Sequence, residues 1–240
     1  MEQYDIIGAR YERSKTTAAF SAADTYTLDQ AIGDVAGCRV LDVACGYGYN
    51  TRLLARRGAR HAVGVDISHE MIRLARAEEE RAPAGIEYHV ADAAALPELG
   101  VFDLVTAVYL FNYAPSRAVL EAMFQRIRAA LTDAGRLLAI VPNPAPFPHS
   151  NWDAYGSHIL RRLPGAEVPL LRVEFLTDPP TPFEYHEWQP EDFTDAAEKA
   201  GFASVTLTPN QTPQPDRHRD EDFWRAYHNR PISSLITCTM

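Results

Sequence analysis

Residues Val40 to Ala55, VLDVACGYGYNTRLLA, restrict the fold more than any other stretch of the chain. An apolar run carrying an acid passes through a Gly-rich turn into a helical pattern: strand, loop, helix. A turn of that kind lets backbone N–H groups approach a nucleotide-type ligand closely. The flanking sequence repeats the unit. RVLDVA (39–44), AVGVDI (62–67), IEYHVA (86–91), VFDLVTAVYLF (101–111) and RLLAIV (136–141) read as strands. YNTRLLARRG (49–58), stopped at Gly58, and SHEMIRLARAEEERA (68–82), with Ser68 as N-cap, read as helices. SRAVLEAMFQRIRAAL (116–131) is a third, with Leu120, Met123, Phe124, Ile127 and Leu131 at helical spacing. Strands alternating with helices predict a parallel sheet covered on both faces.

The texture changes at Pro142. PNPAPFPHSNWDAYGSHILRRLPGAEVP is Pro-rich and aromatic, and LLRVEFLTDPPTPFEYHEW reads as two strands around a DPPTP turn. PEDFTDAAEKAGF predicts a helix with Pro190 in its first turn and Gly201 as its cap. ASVTLTP and SSLITCTM read as two final strands, joined by the polar connection NQTPQPDRHRDEDFWRAYHNRP. The expected organisation is a single domain over 1–240: an N-terminal lid (1–37), a cofactor-binding core (38–141), a substrate cap (142–188), and a closing helix with the last two strands (189–240).

Charge and cysteine content narrow the partners. The 240 residues carry 32 acids against 23 bases, a net charge of −9 with no basic stripe, so nucleic acid is not an expected partner. Cys38, Cys45 and Cys238 are odd in number and form no CxxC pair, which argues for a reducing compartment and against a disulfide framework or zinc site. His218, Asp220 and His228 lie in polar, irregular surroundings, and no metal is expected. No stretch approaches the roughly 18 apolar residues that span a bilayer, and the N-terminus lacks an apolar targeting core. A cytoplasmic protein with no membrane partner, monomeric or homodimeric, is expected.

The nucleotide is narrowed by three residues. An acid ending the second strand is the usual ribose-hydroxyl acceptor. Here it is Asp66, a position that NAD would suit as well. The dinucleotide pattern G-x-G-x-x-G, however, reads GYGYNT from Gly46, with Thr51 in place of the third glycine. Asp42 would oppose a pyrophosphate by like charge and would suit a ligand with an ammonium group. S-adenosylmethionine (SAM) carries an ammonium, a ribose and an adenine, and no phosphate. Asp92, after the third strand, could accept from an adenine amino group.

VLDVACGYG, VGVDIS, VADAAALP and FDLVTAVYLFNYA together resemble the class I SAM-dependent methyltransferases in order, spacing and strand position over about residues 36–141. LTDAGRLLAIV resembles that family's entry to its fifth strand. YDIIGARYE, with the Gly-rich turn and NYA, is similar to small-molecule methyltransferases of bacterial secondary metabolism and antibiotic biosynthesis, of the toxoflavin and mitomycin N-methyltransferase type. The resemblance implies an α/β, Rossmann-like sheet of seven mostly parallel strands, with helices on both faces, an antiparallel last strand and a substrate cap. It implies SAM as cofactor and S-adenosylhomocysteine (SAH) as product. At matching positions it implies that Asp42, Ala44 and Gly46 line the methionine part and that Asp66 holds the ribose. Ile67 and Met71 would flank the adenine, and Asp92 and Ala93 would meet its edge. Tyr109 would face the methyl end, and Tyr4 and Tyr11 would belong to a segment folded over the cofactor. Ala44 departs from D-x-G-x-G-x-G at the first glycine, which suggests a turn with no need of positive φ there.

Methyl transfer from a sulfonium is an in-line displacement, and alignment alone can supply roughly 7–11 kcal/mol in favourable cases. A neutral amine needs no base, whereas a hydroxyl or carbon acid usually does. Tyr109 and His186 are the expected catalytic residues. Asn112, Tyr113, His149, Tyr155 and Tyr185 are the expected substrate contacts. In FEYHEW, alternation sets Glu184, His186 and Trp188 on one face and Phe183, Tyr185 and Glu187 on the other; the His186 face is expected to look into the pocket. VPNP (141–144) lies after the fifth strand, whereas the Asn-Pro signature of base-modifying methyltransferases belongs after the fourth. The expected function is methyl transfer to a small heterocyclic or aromatic metabolite, with nitrogen the favoured acceptor. An NAD(P)-dependent oxidoreductase, or a SAM- or SAH-binding protein without transfer, are the alternatives.

Overall fold

The computed structural model describes residues 18–240. Strand β1 (Arg39–Val43) lies inside its main sheet. It pairs in parallel with β2 (His61–Asp66) on one side and with β4 (Phe102–Val108) on the other. β3 (Ile86–Val90) extends the sheet beyond β2, and β5 (Leu131–Pro142) extends it beyond β4, both in parallel. β9 (Ser204–Pro209) and β10 (Ser233–Thr239) complete seven strands in the order β3-β2-β1-β4-β5-β10-β9. β10 runs antiparallel to both of its neighbours. The expected architecture of seven mostly parallel strands with an antiparallel last strand is the one observed.

Alternation along the strands supplies both faces with apolar surface. Val40, Leu104, Leu138 and Ile140 pack with Leu28, Leu54 and Ile72 from α1 (Ala19–Ile32), α2 (Tyr49–Arg56) and α3 (His69–Arg81). Leu41, Val43, Val105 and Ala107 face the other side. There α4 (Arg117–Ala129) supplies Leu120, Phe124 and Ile127, and α5 (Pro190–Lys199) supplies Phe193. The helix starts follow their caps. Ser68 Oγ accepts from the Met71 amide at 3.2 Å, and Ser116 Oγ accepts from the Val119 amide at 3.3 Å. Pro190 opens α5, and Gly201, at φ +94°, lies just past its end.

Residues 142–188 hold a second sheet, antiparallel, of β6 (Ser157–Leu163), β7 (Leu170–Phe175) and β8 (Thr181–His186) in that order. β7 and β8 are the two strands legible around DPPTP. β6 was not legible: its register shifts between Ile159 and Arg161, and Arg161 and Arg162 are exposed, so SHILRRL lacks a clean alternation. The connection expected to be irregular before β10 contains α6 (Glu221–Asn229), which buries Trp224 and Tyr227. These two residues pack with Trp152, Tyr155, Val173, Phe175 and Tyr185, and with Phe20 and Ala23 of α1, in a third core. α1 therefore belongs to two cores. Its first turns meet the second sheet and its last turns meet the main one. Among the described residues, no helix is long and apolar enough to cross a membrane.

Candidate functional site

A cleft of about 440 Å³ opens at the carboxyl ends of β1, β2 and β4. Ala44 and Gly46 of the turn after β1 form one wall. Asp66, Ile67 and Met71, with Ala91, Asp92 and Ala93 after β3, form a second. Val108, Tyr109, Leu110 and Tyr113 form a third. The strand order at this point reverses its direction of growth from β1, which is where open α/β sheets place ligands.

Asp66 organises the first two walls. Its Oδ2 accepts from the Gly46 amide at 2.8 Å, and its Oδ1 accepts from the Ser68 amide at 2.9 Å. The Cys45 amide adds a bond to the Val65 carbonyl at 3.0 Å. One carboxylate thus holds the Gly-rich turn against the start of α3 and remains at the cleft wall. A carboxylate oxygen is an acceptor with more than one lone-pair site. Asp92 also lines the cleft, and its Oδ1 accepts from the Ala94 amide at 2.8 Å. Among the described residues, the lining includes these two acids and no Lys, Arg or His. That donor set fits a ligand that offers hydroxyls, an amino group or a cation, and it does not fit a pyrophosphate.

Two residues at the end of β1 and in the turn behave differently from expectation. Ala44 stands at φ +59°, so the first position of the glycine pattern does take the left-handed conformation, with alanine in it. For a residue with a Cβ this costs of order 1–2 kcal/mol. Asp42 does not line the cleft. It is 1% exposed, its Oδ2 accepts from the Thr51 hydroxyl and its Oδ1 from the Thr106 hydroxyl, each at 2.7 Å. The carboxylate expected to meet the ligand's ammonium instead bonds the start of α2 to β4, beneath the turn. Thr51, fully buried, is thereby a partner of Asp42 rather than a failed glycine. Gly48, at φ +86°, serves packing: a Cβ there would stand 2.3 Å from the Tyr88 hydroxyl. The buried Cys45 thiol is pushed well up by desolvation and by the Asp66 and Asp42 carboxylates, so it stays protonated and is no nucleophile.

Tyr109 follows β4 at φ +56°, the other non-glycine residue with positive φ among the described residues. Its amide donates to the Ile140 carbonyl at 2.8 Å, which keeps it on the sheet while its side chain turns toward α1. There its hydroxyl donates to Asp24 Oδ2 at 2.8 Å. Asp24 is 2% exposed, and its Oδ1 accepts from Asn210 Nδ2 and from Ser233 Oγ, each at 2.6 Å. Burial, and then the Asp24 carboxylate, hold the Tyr109 phenol well above its ordinary pKa, so it works as a neutral hydroxyl and not as a phenolate. Asp24, Asn210, Ser233, Thr51 and Thr106 escaped sequence reasoning. Only Asp24 left a signal, as an acid inside the stripe of Phe20, Ala23, Thr27 and Leu28.

The remaining expected contacts are dispersed. Tyr113 lines the cleft. Asn112 and Tyr185 are buried, and neither lines it. Tyr155 is buried in the third core against Phe223 and Tyr227. His149 is exposed on its loop. His186 is half-buried and does not line the cleft; desolvation lowers its pKa. On β8 it is Tyr185, with Phe183, that packs toward the aromatic core and Tyr109, opposite to the expected facing. Tyr4 and Tyr11 lie outside the described residues.

A family model described as "Methyltransferase domain" matches residues 40–135, the span from β1 into β5. The chain is 46% identical over 111 residues to a magnesium-protoporphyrin O-methyltransferase of Rhodobacter capsulatus, covering 43% of this chain and 47% of that protein. It is 26% identical over 219 residues to a demethylmenaquinone methyltransferase of Lactococcus lactis, covering 85% of this chain and 82% of that one. Among solved structures, an amino pentose methyltransferase of Micromonospora echinaspora, with SAM bound, superposes at a TM-score of 0.63 with 19% identity, over 98% of this chain and 97% of that chain. The higher-identity match thus spans about half of its relative.

Proposed function

Because this chain belongs to the class I SAM-dependent methyltransferases, we propose that it transfers a methyl group from SAM to a small heterocyclic or aromatic metabolite, at nitrogen in preference to oxygen or carbon. The observation that carries the reading is the cleft itself: among the described residues it offers two carboxylates, no cation, and apolar walls that would take a purine. SAM supplies an electrophilic methyl group on a good leaving group. The chain's own residues hold and orient it. Asp66 would hold the ribose hydroxyls and Asp92 the adenine edge, between Ile67, Met71 and Ala93.

An acceptor of ring character is supported by what adjoins the third wall. Tyr109 and Tyr113 pack against a core that contains Phe20, Trp152, Tyr155, Phe183 and Tyr185. Phe20 and Phe175 stack at 6.0 Å, and Phe175 and Phe183 at 4.1 Å. Nitrogen is favoured because a neutral amine needs no base. Of the residues expected to act, His186 stands off the cleft, and Tyr109 keeps its proton. The relatives described above are named for unlike acceptors, so the acceptor has to be read from this chain's own lining. A role in natural-product metabolism rests on the resemblance of the Gly-rich turn and NYA to enzymes of that kind.

Calorimetry with SAM, SAH and NAD(P)H tests the cofactor assignment: binding of SAM and SAH without nicotinamide binding is expected, and the reverse ends it. Asp66→Ala is expected to weaken SAH at least tenfold, through loss of ligand hydrogen bonds to a charged group at about 1.5–3 kcal/mol each. An unchanged dissociation constant would remove the ribose from Asp66. Transfer of a labelled methyl group to a panel of amino- and hydroxy-substituted heterocycles tests the acceptor class. Product on hydroxyl compounds alone would overturn the preference for nitrogen.

A further inference from the structure

We propose that Asn112 and Tyr185 are the polar part of the acceptor subsite and select a ring that carries an N–H donor and a carbonyl, as a lactam does. The inference rests on the methyltransferase reading and narrows the acceptor class within it. Both side chains are buried, Asn112 at 2% exposure and Tyr185 at 4%. The Asn112 Oδ1 and the Tyr185 hydroxyl have no hydrogen-bond partner among the described residues. Buried polar atoms are nearly always paired, because burial removes the water that would otherwise satisfy them. Two that are not, beside the wall of a ligand cleft, mark a place where the ligand supplies the partner.

The fold brings the two residues to one place. Asn112 lies in the short helical turn Phe111–Tyr113 that follows β4, and Tyr185 lies near the end of β8. Just beyond them the two segments are tied together: Trp188 Nε1 donates to the Ala114 carbonyl at 3.0 Å. Tyr113 connects the pair to the cleft. It follows Asn112 in sequence, packs against the core that contains Tyr185, and lines the third wall. An acceptor at that wall meets Asn112 and Tyr185 when the Tyr113 ring turns aside, a rotamer change of the kind that binding commonly brings. Other buried polar groups in the neighbourhood are bonded within the protein. The Tyr109 hydroxyl donates to Asp24, and the Glu187 carboxylate accepts from the Ala145 amide and from Arg162.

The two atoms set the ligand's chemistry. The amide oxygen of Asn112 only accepts, so its complement is an N–H or O–H group. The Tyr185 phenol is held well above its ordinary pKa by burial, and then by the Glu187 carboxylate and the Tyr113 phenol. It therefore keeps its proton and donates, and its complement is a carbonyl. Neither residue is a base, in keeping with a nitrogen acceptor that needs none. A ring without these groups would leave both atoms unpaired in a pocket closed to water, and a site of that kind rejects such an analogue more strongly than shape alone does. The unliganded protein is correspondingly less stable than it could be, a common relation between a binding site and its fold.

The test has two arms, both on the full chain. In urea denaturation without ligand, Tyr185→Phe removes only the unpaired oxygen and is expected to raise the midpoint. A lowered midpoint would mean that enclosed water satisfies the hydroxyl and that it serves the fold, which overturns the proposal. In the second arm, the SAH-saturated chain is titrated by ligand-observed NMR with isocytosine, an aminopyrimidine with a lactam edge, and with the parent aminopyrimidine that lacks it. Isocytosine is expected to bind at least tenfold more tightly. Tyr185→Phe and Asn112→Leu are each expected to lower that ratio at least threefold while SAH affinity stays within twofold. Equal affinity for the two rings overturns the proposal, and so does a ratio that Tyr185→Phe leaves unchanged, even if Asn112→Leu fails to fold. A wild-type chain that does not bind SAH would instead sink the methyltransferase reading on which the proposal stands.

Discussion

Among the described residues, two with side chains, Ala44 and Tyr109, sit in the left-handed region, one after β1 and one after β4, and both line one cleft. Strain of that kind persists only where surrounding structure over-determines it, and it gathers where a ligand is held. At Ala44 the substitution that relieves it is available. Ala44→Gly is expected to stabilise the protein by about 0.5–1 kcal/mol, because glycine has no steric cost at positive φ and loses only part of that gain to a freer unfolded chain. Urea denaturation reads it as a raised midpoint at unchanged slope. A lowered midpoint would mean that the alanine methyl group packs the wall for more than its strain costs. Gly48 is the opposite case, a glycine whose conformation and whose space against Tyr88 both exclude a side chain.

At the scale of elements, what the sequence disclosed depended on whether local pattern and burial agreed. β1, β2 and α3 carry their signals within a few residues: an apolar run, an acid at the strand end, a serine cap. Ser68 caps the helix it appeared to cap, and Ser116 caps α4. The position of Asp66 at the cleft was legible because it follows locally from a strand end. Asp42 was misread because its partners, Thr51 and Thr106, lie 9 and 64 positions away, and no local pattern shows which way a carboxylate points. β6 was hidden by arginines on an exposed edge strand. α6 was hidden by polar flanks, although Asp220, Trp224 and Tyr227 are an N-cap and a buried pair at helical spacing. The Asp220 side chain accepts from the Phe223 amide at 2.9 Å. Asp220→Ala is therefore expected to cost about 1 kcal/mol, the usual loss for an N-cap. Equilibrium denaturation checks it; no change would show that packing of Trp224 and Tyr227 alone holds the helix.

At the scale of the whole molecule, one carboxylate gathers parts that are remote in sequence. The bonds of Asp24 to Tyr109, Asn210 and Ser233 span 85, 186 and 209 positions. Through them α1, the turn after β4, the residue after β9 and the start of β10 meet at one buried point. None of these bonds can form before the strands that bring their residues together. A contact that closes loops of that length is made late, after the barrier to folding has been crossed, and its loss appears in the rate of unfolding rather than of folding. In stopped-flow denaturant jumps, Asp24→Asn is expected to accelerate unfolding several-fold and leave the refolding rate of the main phase within twofold. A matching slowdown of refolding would place Asp24 in the nucleus instead. The Asp24 network is on these grounds a clasp on the finished fold, and a protein that tolerates its loss at equilibrium would still have a shorter native lifetime.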